Sequence, residues 1–514
     1  MSEDRHHGAD PRQQGQLKIE PLIFERSREG RVGYSLPELD VPRVDPAEAW
    51  GPDQVRDDLA GFPEVSEVDV VRHFTRISQH NYGIETGLHP LGSCTMKYNP
   101  KLHERLARLP GFSDAHPYMP DSVTQGSLEL MWRLEGALSE ITGLPYVSLQ
   151  PAAGAQGELT GIMMIAAYHR SRGEARTRVL IPDSAHGTNP ATASLCGFEP
   201  VEIPSNERGT IDLSALEATI DDDTAALMLT NPNTLGLFEE QIDRIADIVH
   251  GAGAQIYCDG ANLNAILGKA RPGDFGVDVF HINLHKTFTT PHGGGGPGCG
   301  PVAVAEHLGP FRPRPVVARD EEAGYFLDDE RPDAIGKIHG FYGNFAMMVR
   351  AYAYIRAHGG AGLRQVAEDA VLAANYVRVR LSEDYQIAHD RTCMHEVVFS
   401  HRRQKKAGGV TALDICKRLI DYGFHPPTVY FPLVVSGALM VEPTETVNRQ
   451  ELDGFIDAMI AIAREAEEEP ERVTGAPWST FHRRLDEVRA AREPVLRWDP
   501  EPEGAAPTSG AAER

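Results

Sequence analysis

The chain has 514 residues, of which 41% are hydrophobic and 24% charged, the proportions of an ordinary globular enzyme. That length is too great for a single hydrophobic core, so two domains with extensions are expected. The formal net charge of −24 excludes non-specific binding to nucleic acid or to an anionic membrane. Any phosphate group must therefore be held by local backbone N–H groups and helix N-termini.

The first residues, Met1 to His7, contain no apolar stretch, so no secretory signal is expected, and no later run is long enough to span a membrane. Six cysteines (Cys94, Cys196, Cys258, Cys299, Cys393 and Cys416) are scattered with no CxxC pair. Reduced thiols, a cytoplasmic location and no metal site are expected. Residues 1–20 are polar and read as disordered. Residues 21–120 are rich in proline and glycine and read as an extended, irregular arm. Such an arm cannot satisfy its own backbone groups, so it is expected to lie across another surface, a partner subunit's.

From about Gln125 strands and helices alternate. Tyr146 to Leu149 reads as a strand that leads into Pro151-Ala152-Ala153-Gly154-Ala155-Gln156-Gly157-Glu158 and an apolar helix. Val179 to Ile181 ends at Asp183-Ser184-Ala185-His186-Gly187-Thr188-Asn189. Ala225 to Leu229 ends at Thr230-Asn231-Pro232-Asn233-Thr234-Leu235-Gly236. Gln255 to Cys258 ends at Asp259-Gly260-Ala261-Asn262. Val277 to Ile282 delivers Asn283-Leu284-His285-Lys286, followed closely by the glycine run from Gly293. This alternation indicates an α/β fold with a large, mixed, mainly parallel sheet. Ligands collect at the carboxyl ends of such strands, and each motif lies at such an end. Beyond Gly343, helices over 344–356 and 363–381 are expected to bridge to a smaller α/β domain. It holds a strand at 396–399, a helix at 411–422, a strand at 438–441 and a last helix starting near Asn448. The expected division is a large domain over 121–375, a small one over 376–493 and a flexible tail over 494–514.

Lys286 is the most informative residue. Apolar neighbours lower a lysine's pKa and free its amine to form a Schiff base. An upstream Asp259, also at a strand end, can keep a pyridine nitrogen protonated. Together they are what a pyridoxal-phosphate enzyme needs. His186 offers a flat ring for stacking or proton exchange, although a lone histidine is more often structural. The turn at Gly154-Ala155-Gln156-Gly157 opens a helix and suits a phosphate. The cofactor-binding set is Lys286, Asp259, His186, Ala261, Gly154, Ala155, Gln156, Thr188, Asn283 and His285. Ser93, Cys94, Thr95, Lys97 and His292 are candidates for a wall facing substrate or partner. The glycine run matches G-x-G-x-x-G only formally, since it opens no helix and contains Pro297. His395-Glu396 has no second histidine at zincin spacing.

Several long motifs carry a resemblance. They include Leu22 to Glu25, Gly33 to Pro37, His89 to Pro100, Asp183 to Ala193, Thr230 to Gly236, Asp259 to Asn264, Asn283 to Phe288 and Leu439 to Glu445. From about Leu22 to Trp498 the chain closely resembles the glycine-cleavage P-protein in its two-subunit form, and within it subunit 2. The resemblance implies an aspartate-aminotransferase-like fold with pyridoxal phosphate on Lys286, Asp259 at the pyridine nitrogen and His186 against the ring. It also implies decarboxylation of glycine, transfer of the aminomethyl group to the lipoyl arm of H-protein, and a separate subunit 1 in an assembly with two copies of each. One rival is a simple amino-acid decarboxylase or lyase on the same fold. Another is a scaffold that has lost its chemistry, against which the intact Lys286, Asp259 and His186 argue.

Overall fold

Seven strands build the larger sheet in this computed structural model, which describes residues 20–497 apart from 57, 58, 60, 294, 295 and 481. Most of the expected disordered start and flexible tail, and two glycines of the run after Lys286, lie outside the described residues. The strands are β1 (Tyr146–Ser148), β2 (Arg178–Pro182), β3 (Glu199–Ile203), β4 (Thr224–Thr230), β5 (Gln255–Gly260), β6 (Val279–Ile282) and β7 (Val302–Val304). Their spatial order is β1-β7-β6-β5-β4-β2-β3. β7 runs antiparallel to both its neighbours, and the remaining pairs are parallel. The sheet is therefore the mixed, mainly parallel one expected.

β4 and β5 are buried along their whole length, because helices cover both faces of the sheet. Such strands read as continuous apolar runs rather than alternating ones. Their side chains still divide by parity. Leu227, Leu229, Ile256 and Cys258 join a core that includes Leu134 and Leu138 of the helix Gln125–Thr142. Ala226, Met228, Tyr257 and Val279 pack on the other side with Ile162 and Ile165 of the helix Gly154–Ser171.

β8 (Val316–Asp320) and β9 (Gly324–Asp328) form a separate hairpin. The smaller lobe has an antiparallel sheet of β10 (Gln386–Ile387), β11 (Val397–Ser400), β12 (Thr428–Val429) and β13 (Ala438–Val441), in the order β10-β11-β13-β12. Phe399, Phe455 and Ile456 centre its core. Sequence periodicity suggests two bridging helices, and the structure joins them as Phe345–Leu381, broken only where Gly359 leaves helical geometry (φ 60°, ψ −177°). Its first part packs in the large core and its last turns in the small one, so one element ties the lobes together. Among the described residues no helix is long and apolar enough to cross a membrane.

The arm is less irregular than the sequence suggests. Ser66 and Asp69 form a reciprocal cap on the helix Glu67–Ser78. Further on, Leu88 enters the small core and Leu91 bridges to Val441. By contrast Tyr34, Leu36, Leu39, Trp50 and Phe62 are exposed.

The lobes touch at Gly236, whose φ of +74° suits glycine and whose added Cβ would lie 2.0 Å from the Glu396 carbonyl oxygen. Its own carbonyl accepts the Met394 N–H at 2.7 Å. Gly236→Ala should cost about 3 kcal/mol through overpacking and backbone strain. Urea unfolding of the purified variant checks this, and an unchanged midpoint would contradict the tight contact.

Candidate active site

The parallel register assembles the site. Thr230 pairs with Asp259 across β4 and β5, and Asp259 with His281 across β5 and β6. Strand β6 ends at Ile282, and Lys286 stands on the single helical turn Leu284–Thr287 that follows. At these carboxyl ends lies a cavity of about 250 Å³. Its lining includes Lys286, Asp259, His186, Thr188, Asn283 and His285, with Ala261, Gly154, Ala155 and Ser93. Glu158, Thr230, Thr234, Asn262 and Ala153 complete it.

The helix Gly154–Ser171 begins without a side-chain cap, and its first intrahelical bond in this turn is Gly157 N–H to the Ala153 carbonyl. The N–H groups of Gly154, Ala155 and Gln156 thus remain for an anion. Asn283 explains why Gly154 has no side chain, since an added Cβ would lie 2.1 Å from its Oδ1. The Gln156 side chain does not enter the cavity. It accepts the Ala152 N–H at 2.6 Å and donates to the Ile338 carbonyl at 3.2 Å.

Asp259 is buried and accepts the Ala261 N–H at 2.9 Å. Behind it the buried Tyr257 hydroxyl is hydrogen-bonded to His281 Nδ1 at 2.5 Å, and His281 Nε2 stands 3.4 Å from the Asp259 carboxylate. Burial lowers the His281 pKa. Glu158 lies close to both. Burial, with the nearby Asp259 charge, pushes its carboxyl up to about 8. Thr188 Oγ1 is hydrogen-bonded to Glu158 Oε1 at 2.8 Å and sits 2.8 Å from His186 Nδ1. Burial also pushes His285 down to about 3.

Lys97, Thr95, Cys94 and His292 do not line the cavity. They brace its wall instead, because each is tied to neighbouring elements. Lys97 is buried, and its ammonium donates to Glu445 at 2.7 Å and to the Thr287 carbonyl at 2.8 Å. Burial pulls its pKa down, but the Glu445 charge and hydrogen bond outweigh this and hold it above the ordinary value. Thr95 gives both its N–H and its hydroxyl to Glu442, at 2.9 and 2.6 Å. His292 packs edge-on against His285, with ring centroids 4.9 Å apart, and its Nε2 lies 3.1 Å from the Cys94 carbonyl. Ser93, which does reach the cavity, donates its N–H to Glu396 at 2.7 Å.

The cavity walls also carry buried polar atoms with no partner among the described residues, including Thr230 Oγ1, Asn262 Oδ1, Asn283 Oδ1 and Glu158 Oε2. Buried polar groups are normally paired, so these fit a polar ligand. A free helix N-terminus, a carboxylate and an amine around one small cavity match the phosphate, ring nitrogen and aldehyde of pyridoxal phosphate.

Residues 47–322 match the model of the family "Glycine cleavage system P-protein", and residues 366–477 match "Glycine dehydrogenase, C-terminal domain". The chain belongs to the glycine cleavage P-protein family. It is 58% identical to a Bacillus velezensis protein named "Probable glycine dehydrogenase (decarboxylating) subunit 2", over 93% of this chain and 97% of that one. A Listeria monocytogenes protein of the same name is 56% identical over 94% and 98%. Among solved structures, a glycine decarboxylase (P-protein) in inhibitor-bound form aligns with a TM-score of 0.68 at 22% identity, covering 80% of this chain and 94% of that one. An Escherichia coli cysteine desulfurase aligns with a TM-score of 0.58 at 15% identity, over 74% and 95%. These two likenesses establish the fold, which is the aspartate-aminotransferase-like one expected.

Sequence reading missed Glu158, Thr230, Thr234 and Asn262 as cavity residues, and Glu396, Glu442 and Glu445 as the acids that hold the wall. Signals were present for some. Thr230 and Thr234 lie in a strand-end motif, and Glu158 is an acid one turn into an apolar helix. Lys97→Met would leave Glu445 buried without its cation, at a cost of about 3–5 kcal/mol. The double variant with Glu445→Gln should recover much of this in urea unfolding, and equal losses in both would contradict the pairing.

Proposed function

We infer that this chain is the catalytic half of a two-subunit glycine dehydrogenase (decarboxylating), working with pyridoxal phosphate in the cytoplasm. Glycine would lose its carboxyl group as carbon dioxide, and the aminomethyl group would pass to the lipoyl disulfide of H-protein. The observation that carries this reading is the meeting of Lys286, Asp259 and an uncapped helix start in one cavity. It occurs within a chain 58% identical to a protein of that named activity. When bound, pyridoxal phosphate supplies an electron sink for the pair released as the C–C bond breaks.

The chain's own residues have separable tasks. The N–H groups of Gly154, Ala155 and Gln156 would hold the phosphate. Asp259, held by the Ala261 N–H, would keep a proton on the ring nitrogen. Lys286 would hold the aldehyde carbon and, when released, supply a base beside the reacting carbon. His186 would lie against the ring, with Thr188 fixing its orientation. Ala261, Asn283 and His285 shape the walls. The buried neighbours of Lys286, among them Leu284 and Thr287, keep water from that side of the cavity.

In this reading residues 121–375 form the cofactor domain and 376–493 the cap. Ser93 reaches the cavity from the arm. The exposed Tyr34, Leu36, Leu39 and Trp50 support a covering partner on the arm, the subunit 1 of an assembly with two copies of each. An aminomethyl product that forms only with lipoylated H-protein and subunit 1 would separate this reaction from a simple decarboxylase.

Lys286→Ala is expected to abolish exchange of the glycine carboxyl group with labelled bicarbonate, and near-normal exchange would refute its role. Asp259→Asn should slow the same exchange by about 100-fold or more while the fold, followed by circular dichroism, stays intact.

A further inference from the structure

Glu158, Thr188 and His186 form a continuous hydrogen-bonded chain that ends in the cavity. Both links are 2.8 Å long, Glu158 Oε1 to Thr188 Oγ1 and Thr188 Oγ1 to His186 Nδ1. A threonine hydroxyl has one hydrogen, so it can donate to only one end at a time. With Glu158 ionised, the hydroxyl donates to the carboxylate and must accept from His186 Nδ1–H. With Glu158 protonated, the carboxyl donates to the hydroxyl, the hydroxyl donates to Nδ1, and the hydrogen of His186 sits on Nε2. The Thr188 N–H, 3.2 Å from Nδ1, favours this second arrangement. Nε2 has no partner among the described residues, and the ring lines the cavity.

We propose that Glu158, Thr188 and His186 are a proton relay, in which the protonation state of Glu158 decides which nitrogen of His186 carries the hydrogen. The relay deepens the reaction proposed above and rests on it only for its use. When carbon dioxide leaves glycine, its bonding electron pair attacks one sulfur of the disulfide. The S–S bond breaks, and the other sulfur departs as a thiolate that needs one proton. A proton passed from Nε2 is replaced at Nδ1 by that of Thr188, and at Thr188 by that of Glu158, which is left ionised. One proton leaves the carboxyl and one reaches the thiolate. Glu158 is thus a positioning residue that acts through His186.

The groups facing Glu158 suit a proton held near neutral pH. Asp259 and Tyr257 come from β5, His281 from β6 and Lys286 from the turn after β6; the loop after β2 brings His186 and Thr188. Burial and Asp259 push the carboxyl up to about 8, against the opposing pull of Thr188 and Lys286. Burial lowers the pKa of His186 itself, so its ring stays neutral across this transition.

The test is long-range 1H–15N NMR of the full-length, cofactor-free chain with 15N-labelled histidine, from about pH 6.5 to 9.5, a window spanning the ordinary histidine range and above. His186→Asn assigns the signal. His186 should change from the Nε2–H to the Nδ1–H form as pH rises through about 8. Glu158→Gln should abolish the change, Glu158→Asp should keep it with a displaced midpoint, and Thr188→Val should uncouple it while Thr188→Ser restores it. A tautomer that ignores pH in the wild type, or a midpoint unmoved in both Glu158→Gln and Thr188→Val, would overturn the relay. Neither cofactor nor glycine is present, so the result is separate from the reaction reading. A switching His186 in a chain without carboxyl exchange would sink that reading alone, and normal exchange with a static His186 would sink the relay alone.

Discussion

The site depends on the register of three parallel strands. Thr230 on β4, Asp259 on β5 and His281 on β6 stand in line, and the chain beyond β6 then places Lys286 over the same sheet end. Strand side chains alternate, so Tyr257 and Asp259 share the face covered by the helix Gly154–Ser171. The first turn of that helix brings both its free N–H groups and Glu158. A slip of one residue in β5 would turn Asp259 to the opposite face and put Cys258 in the cavity. Continuous burial of β4 and β5 between two helical layers prevents that slip, so the core that stabilises the fold also fixes the chemistry.

Around this frame the chain buries acids that find few cations. Glu396 and Glu442 are fully buried in the small lobe, and burial raises both carboxyls above the usual range, with each other's charge adding at Glu396. The arm supplies partners to both, the Ser93 N–H to Glu396 and the Thr95 N–H and hydroxyl to Glu442, while Glu396 Oε1 has no partner among the described residues. Ser93 and Thr95 adopt left-handed backbone angles, with φ of 62° and 50°, at a cost of about 1–3 kcal/mol each. Acid and strained loop therefore sustain each other. The wall of the cavity belongs to neither lobe alone, and Lys97 with Glu445 locks its far end.

Much of this was legible in the sequence. The alternation of strands and helices, and the gathering of Lys286, Asp259, His186 and Gly154 at strand ends, follow from local pattern and hold in the structure. Pairing between distant residues was not legible. Nothing around Thr95 or Lys97 tells that Glu442 and Glu445 await them, because those contacts span more than 340 positions. This is why both read as residues facing substrate or a partner when they are buried braces. Where the Gln156 side chain turns was not legible either, since a helix start shows which N–H groups are free but not the direction of a side chain. Glu158 stayed hidden because an acid in an apolar helix has meaning only once the strands beneath it are in place.

The proposed reaction turns on Lys286 as the residue that would hold the cofactor. Its most direct test is borohydride reduction of the purified chain loaded with pyridoxal phosphate, followed by proteolysis and mass mapping of the pyridoxyl group. One adduct is expected, on the peptide carrying Lys286. An adduct on another lysine, or none, would contradict it.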